Sequence, residues 1–224
     1  MAVVATVYTQ QPRLPTPQAV FAHLFGLEPP AAAVSSPTRE RPAYKRVWAS
    51  LRKGKAGLMA EVVPALRRRD PAREKSWVGL TDGERALPQS VIRRLRGGPW
   101  VLDFQHALAK LWTAAYACHE EGRPKVLAWV QERAWRLLPG EVSQVGQGMR
   151  QRATRRHLRG QRRTGVEAGA SSLYRNRGRM RSDASLRQGW PRATGVVEGA
   201  CKNLIKDRME RSGIAGPPPW PKRC

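Results

Sequence analysis

Acidic side chains are scarce in this chain of 224 residues: 17 Asp and Glu stand against 41 Lys and Arg, a formal net charge of +24. Such an imbalance argues against an acidic, self-solvating protein and toward a polyanionic partner, for which nucleic acid is the usual candidate. Paired cysteines are lacking as well. Cys118, Cys201 and Cys224 lie far apart and form no CxxC pair, which excludes a disulfide framework and a Cys-based zinc site and makes a reducing cytoplasm the expected location. No apolar run approaches the ~20 residues of a membrane span, so no membrane partner is expected. The opening MAVVATVY has neither a basic leader nor a cleavage site and reads as a strand rather than a signal peptide. There is no P-loop, GxSxG or HExxH, so Walker-type phosphate binding, nucleophile-elbow hydrolysis and zincin chemistry have no support.

What is present argues for a folded chain. Hydrophobic residues make up 41% and there are eight Trp, a composition compatible with a core. The positive charge is unevenly placed. Residues 149–224 hold 19 of the basic side chains and five of the acidic ones, and most of those cations are Arg, the better bidentate phosphate ligand.

The residue pattern predicts an alternation of elements. Ala2 to Tyr8 alternates small and β-branched residues, a strand signal. TPQAVFAHLFG (16–26) reads as a short helix capped by Thr16 with Pro17 in its first position. LEPPAAAVSSPTRERP reads as a linker. Val47, Leu51, Leu58, Val62 and Leu66 fit one face of a long helix interrupted by Gly54, Gly57 and Pro64. WVGL (77–80) and WVLD (100–103) read as short buried strands, the second leading directly into the patterned helix FQHALAKLWTAAYACH. Strand, helix, strand, helix at this spacing predicts an α/β fold with parallel pairing. From Lys125 onward the chain reads as helical through Val126, Trp129, Val130, Arg133 and Leu137. RQRATRRHLRGQRR (150–163) then reads as a cationic stretch with few apolar anchors, before a less regular Gly/Ser segment.

Three acids stand where chemistry could occur. Asp82 ends a short strand and precedes Gly83; in open α/β sheets that edge binds ligands, though an Asp-Gly turn needs no function. Asp103 and His106 occupy the next strand-to-helix junction, where an Asp can equally serve as a helix cap. Glu198 heads the cationic helix TGVVEGACKNLIKDRMERSG (194–213), where a first-turn carboxylate is also favoured by the helix dipole. Carboxylates converging on one sheet edge could hold Mg2+ with phosphate oxygens completing its shell. Lys202 and Lys206 fall one and two turns after Glu198 on its face, suited to the backbone of a nucleic acid.

These motifs carry a resemblance. MAVVATVYT, KRVWASL (45–51), WVGLTDG (77–83), VLDFQHALAKLW (101–112) and above all GWPRATGVVEGACKNLIKDRMERSG (189–213) resemble the DDE-type transposases of bacterial insertion sequences. The likeness is to the Kra-named family, with a looser likeness to the Mutator-like group, and spans residues 2–213. It implies an RNase H-like α/β core, a mixed sheet with flanking helices, and a mostly helical insertion before the last catalytic acid. It also implies two Asp and one Glu binding two Mg2+ ions for strand cleavage and transfer. Asp82 matches the second catalytic Asp and metal ligand and Glu198 the final Glu, while Asp103 and His106 match a D-x-x-H element that supports the site.

The resemblance sets further expectations. The core would be incomplete: the strand with the first catalytic Asp would lie upstream of AVVATVY, and IAGPPPWPKRC (214–224) reads as a frameshifted tail. The expected layout is a strand and helix of the partial core (1–26), a linker (27–43), the main core (44–124), an Arg-rich helical insertion (125–190), the Glu helix (191–213) and an irregular tail (214–224). Expected partners are duplex DNA, as insertion-sequence ends and target, and further copies of the chain, with the protein associated with a bacterial nucleoid. The DNA contacts would come from Lys202, Lys206, Arg208, Arg150, Arg152, Arg155 and Arg156. With one of three acids absent, transposition by this chain alone is not expected. A different reading of the same charge is a non-catalytic basic DNA-binding remnant, or a nucleic-acid-binding protein adopted by its host.

Overall fold

The computed structural model describes residues 3–28, 42–83, 98–119 and 124–191. The fold is mixed α/β, and among the described residues it holds two separate two-stranded sheets and seven α-helices. The chain divides into two compact units.

The first unit contains β1 (Val3–Thr9), β2 (Ala43–Ser50) and α2 (Lys55–Arg69). β1 and β2 pair antiparallel, Val3 opposite Ser50 and Ala5 opposite Trp48, with an irregularity between Val7 and Thr9. The N-terminal strand is where the alternation of β-branched residues placed it. The long helix expected across 47–66 is corrected: Val47 lies in β2, Leu51 is exposed beyond that strand, and the helix starts only at Lys55. Tyr44, Val47 and Trp48 favour a pleated surface, and their pairing with β1 outweighs the helical spacing they share with Leu58 and Val62. Ser50 then turns the chain, its hydroxyl accepting from the amides of Arg52 and Lys53 at 3.2 and 2.8 Å. In α2, Leu58, Val62 and Val63 are buried, and Arg67, Arg68 and Arg69 in the last turn suit the negative end of the helix dipole.

The second unit contains the remaining elements. α1 (Pro17–Phe25) is capped as expected: Thr16 Oγ1 accepts from the Ala19 amide at 3.1 Å, Pro17 opens the helix, and Gly26 closes it at φ 62°. β3 (Gly79–Thr81) and β4 (Trp100–Leu102) pair in parallel, Leu80 opposite Val101. The parallel pairing expected from the strand–helix spacing is therefore present, with β3 starting two residues later than the 77–80 read from sequence and β4 ending one residue earlier than 103. β4 runs directly into α3 (Phe104–Cys118), and α4 (Pro124–Leu137), α5 (Val142–Arg155), α6 (Gly160–Asn176) and α7 (Ser182–Gln188) complete the unit. A 3-10 turn at Arg177–Arg179 joins the last two.

α3 is the centre of this unit. Its buried face, Ala107, Leu108, Leu111, Ala114, Ala115 and Cys118, joins Val126, Val130 and Leu137 of α4, Val142, Val145 and Met149 of α5, and Val166, Ala170 and Leu173 of α6 in one core. The Gly/Ser segment expected to be irregular is instead a helix of 17 residues. Its small residues are what the packing requires: Val166, Gly169, Ala170 and Leu173 form a buried stripe, and Gly169 lets α6 approach the Lys110 backbone and the Met149 methyl. α1 lies on α4 through Phe21, whose ring meets Trp135 edge-on at 5.3 Å.

Leu111 is fully buried at the meeting point of these helices. Leu111→Ala is expected to lower unfolding stability by about 2–5 kcal/mol, and Thr16→Ala by about 1 kcal/mol through loss of its cap. Chemical denaturation of the two variants checks both values and their order.

Candidate functional site

The edge of the β3/β4 pair is built by short-range constraints. Strand pairing continues past the last ladder pair, with the Asp103 amide donating to Thr81 O at 2.8 Å. That bond fixes the two strand ends side by side, so that Asp82, the residue after β3, and Asp103, the residue after β4, leave the same C-terminal edge. Gly83 allows the chain to turn away. Its φ is +77°, and a Cβ there would lie 2.4 Å from Leu102 Cδ1 and 3.2 Å from Asn176 Nδ2, so both conformation and space require glycine. At the opposite end of the pair Gly98 plays the same part sterically, since a Cβ would lie 2.2 Å from the Trp77 carbonyl oxygen.

The two aspartates differ in environment. Asp82 is exposed. Asp103 is 2% exposed, and one carboxylate oxygen accepts from the Gln105 amide at 2.8 Å, capping α3. The bland reading of Asp103 as a cap therefore holds, alongside whatever support it gives the edge. His106, half-buried in the first turn of α3, feels both acids. Burial and Lys110, one turn further along, lower its pKa below the ordinary imidazole value, while Asp82 and Asp103 partly offset that shift. The imidazole is thus neutral at neutral pH and available as a donor or acceptor beside Asp82.

The structure brings together Asp82, Asp103 and His106. Glu198, Lys202, Lys206 and Arg208 lie outside the described residues. Of the expected DNA-contacting arginines, Arg150 is engaged between helices, donating to Glu167 Oε2 at 2.9 Å and Ser171 Oγ at 3.0 Å. Arg152 is partly buried against His119, whereas Arg155 and Arg156 are exposed at the end of α5. Sequence reasoning missed Lys110 and Asn176. Lys110 was legible, lying four residues after His106 on the same helix. Asn176 was not: it reaches the Gly83 turn from α6, with its own Nδ2 held by Ser172 O at 3.0 Å.

An exposed carboxylate suits Mg2+, a hard ion that prefers oxygen and retains waters. Among the described residues no group of three or more His, Cys, Asp or Glu is arranged to hold an ion; Asp82 is the exposed carboxylate at this edge. A surface cleft of about 280 Å³ is lined by Arg73, Lys75, Ser76, Trp77, Gly98, Pro99 and Trp190. Trp77 and Gly98 precede β3 and β4, so this cleft borders the N-terminal end of the strands, away from the acids.

No protein-family profile, curated protein or solved structure matches the chain. Among the described residues no helix is long and apolar enough to cross a membrane.

Two substitutions separate the roles at this edge. Asp103→Asn retains the capping oxygen and is expected to fold with little loss, whereas Asp103→Ala costs about 1–2 kcal/mol in denaturant unfolding. In an NMR titration His106 is expected to titrate below ~6.5. Asp82→Asn should move it lower still and Lys110→Met higher. Because the folded protein binds fewer protons here than the unfolded chain, the His106 contribution erodes stability as pH falls below that ordinary value.

Proposed function

We propose that this chain is a DNA-binding protein of the DDE transposase type, whose RNase H-like edge uses Asp82, with Glu198, to hold Mg2+ against a DNA phosphodiester. The observation that supports this reading is the convergence of Asp82, Asp103 and His106 at the C-terminal edge of a parallel strand pair. That is the edge where open α/β sheets bind ligands. The Kra-named family likeness of WVGLTDG, VLDFQH and TGVVEGACKNLIKDR supplies the assignment of roles.

Each residue has a defined task in this reading. Asp82 presents an exposed carboxylate, and the Gly83 turn fixes the direction in which the chain leaves it. Asp103 holds α3 in register with β4, and thereby holds His106 beside Asp82. His106, neutral at neutral pH, can accept or donate one hydrogen bond to water or phosphate without adding charge. Bound Mg2+ would supply Lewis-acid stabilisation of the phosphodiester oxygens. The second task, holding DNA, falls to the Arg-rich helical region, and duplex DNA is its proposed partner.

The family chemistry uses three carboxylates, and this chain offers two matching positions. Strand cleavage or transfer of an insertion-sequence end by the purified chain is therefore not expected. Mg2+-dependent cleavage abolished by Glu198→Gln would overturn that expectation. Metal binding at the edge is expected all the same: Mn2+ used in place of Mg2+ should broaden the His106 ring signals in the wild type and not in Asp82→Asn. Absence of broadening would sink the metal site.

A second reading, a basic DNA-binding protein without catalysis, is favoured by one observation: Arg155, Arg156, Arg159 and Arg162 are all exposed at the α5–α6 junction. It predicts duplex binding that survives EDTA and weakens about 10³-fold or more between 50 and 200 mM salt, as six or more phosphate contacts require. Fluorescence anisotropy with a labelled duplex measures both. Binding that is absent, or indifferent to salt, would count against both readings.

A further inference from the structure

At the far end of α3 from Asp103 and His106, about 20 Å away along a helix of 15 residues, a second polar cluster forms where α3, α4 and α5 meet. His119 ends α3, and its Nε2 lies 3.4 Å from Arg152 Nη2 of α5. The Trp129 ring of α4 lies 6.5 Å from the imidazole, and the Arg133 guanidinium covers that ring at 3.9 Å. Arg156, one turn beyond Arg152, and Lys125, one turn before Trp129, add to the same field: burial first, and then these two with Arg152 and Arg133, oppose protonation of His119. Arg133 is itself pushed down in pKa, first by burial, with Arg152 among the charges that add to the shift.

This gathering of cations is short of acceptors. Among the described residues the ion pair at the cluster is Arg133 with Glu132, at 3.0 Å and with a largely exposed carboxylate. Among the described residues two buried donors have no hydrogen-bond partner: the indole Nε1 of Trp129, a residue 7% exposed, and Nε of Arg152. An unmet buried N–H costs its full desolvation, and neighbouring guanidiniums add like-charge repulsion. A tetrahedral oxyanion relieves both at once, because its several oxygens can accept from guanidinium forks and an indole N–H together. A metal cation would relieve neither, and a neutral carbonyl could accept from the donors but would leave the positive charge uncompensated.

We propose that Trp129, Arg152, Arg133, Arg156 and His119 form a binding site for one phosphate group. The phosphate comes from a nucleic-acid backbone or from free phosphate, and the site needs no divalent metal. It is separate from the Asp82 edge and does not rest on that edge binding Mg2+. A guanidinium fork from Arg152 and the Trp129 indole grip the oxygens, Arg133 and Arg156 neutralise the charge, and His119, 3.4 Å from Arg152 Nη2, positions that fork.

The test is an indole N–H NMR titration of the full chain in EDTA and phosphate-free buffer, with the Trp129 signal identified by its loss in Trp129→Phe. Sodium phosphate, a 16-base-pair duplex and sodium chloride at matched ionic strength are added in separate series. The Trp129 signal is expected to shift saturably with phosphate or duplex and not with chloride. Saturation by duplex at concentrations at least tenfold below phosphate identifies the backbone as the source; saturation by phosphate alone identifies the free anion. Arg152→Gln should weaken the response at least tenfold. Trp129→Phe, which keeps a six-membered aromatic ring but removes the pyrrole portion with its N–H, should weaken anisotropy-measured binding of the tighter ligand severalfold, so the proposal stays testable if Arg152→Gln fails to fold. No saturable shift, an equal shift with chloride, or unchanged affinity in Trp129→Phe would overturn it, whatever the outcome of the Mn2+ experiment.

Discussion

The three-residue strands Gly79–Thr81 and Trp100–Leu102 cannot hold each other by their few backbone hydrogen bonds, because an isolated strand pair this short is not stable in water. What holds them is α3. β4 passes into that helix with one intervening residue, Asp103, whose carboxylate caps the helix and whose amide still bonds the Thr81 carbonyl. Burial of Leu102, Phe104, Leu108 and Leu111 in the common core then anchors β4, and β4 anchors β3. The position of Asp82 at the end of β3 follows from that chain of attachments.

The same helix organises both polar regions of its unit. Its N-terminal turn carries Asp103 and His106, its C-terminal end Cys118 and His119, and its middle is apolar and packed on α4, α5 and α6. Cations stand at both ends, Lys110 one turn from His106 and a larger group of arginines at the far end of the helix. The Arg152–His119–Trp129–Arg133 cluster lies where three helices converge, and the exposed arginines continue outward along the α5–α6 junction. Under the proposed DNA-binding role, a carboxylate edge with fewer guanidiniums than the far end would keep local negative charge for a metal ion, because guanidiniums beside it would compete as counter-ions.

Much of this was legible in local sequence. Thr16 before Pro17, the β-branched alternation of Val3–Thr9, Asp103 before a helical period and the parallel pair itself depend on interactions within a few residues, or on spacing rules that hold across folds. The failures share one cause. Val47 and Leu51 fit a helical face by spacing, yet residues 43–50 belong to β2, because pairing with a strand some forty residues earlier decides the matter. The Gly/Ser segment after Arg163 looked irregular because its glycines cost helical stability locally. α3 and α5 repay that cost by packing closely against them.

By itself the sequence determined the chemistry on offer: a cationic chain with few acids, Asp82 beside a glycine at a strand end, a D-x-x-H step later, and Arg-rich helices. These are properties of residue type and short spacing, and folding does not alter them. The tertiary structure alone decided which of those residues meet. It put His106 in the field of Asp82, brought Asn176 from α6 to the Gly83 turn, committed Arg150 to Glu167, and gathered Arg133, Arg152 and His119 around a buried indole. Each of those meetings joins residues on different elements. Their distances are set by how side-chain volumes fill one shared core, a constraint that no local pattern encodes.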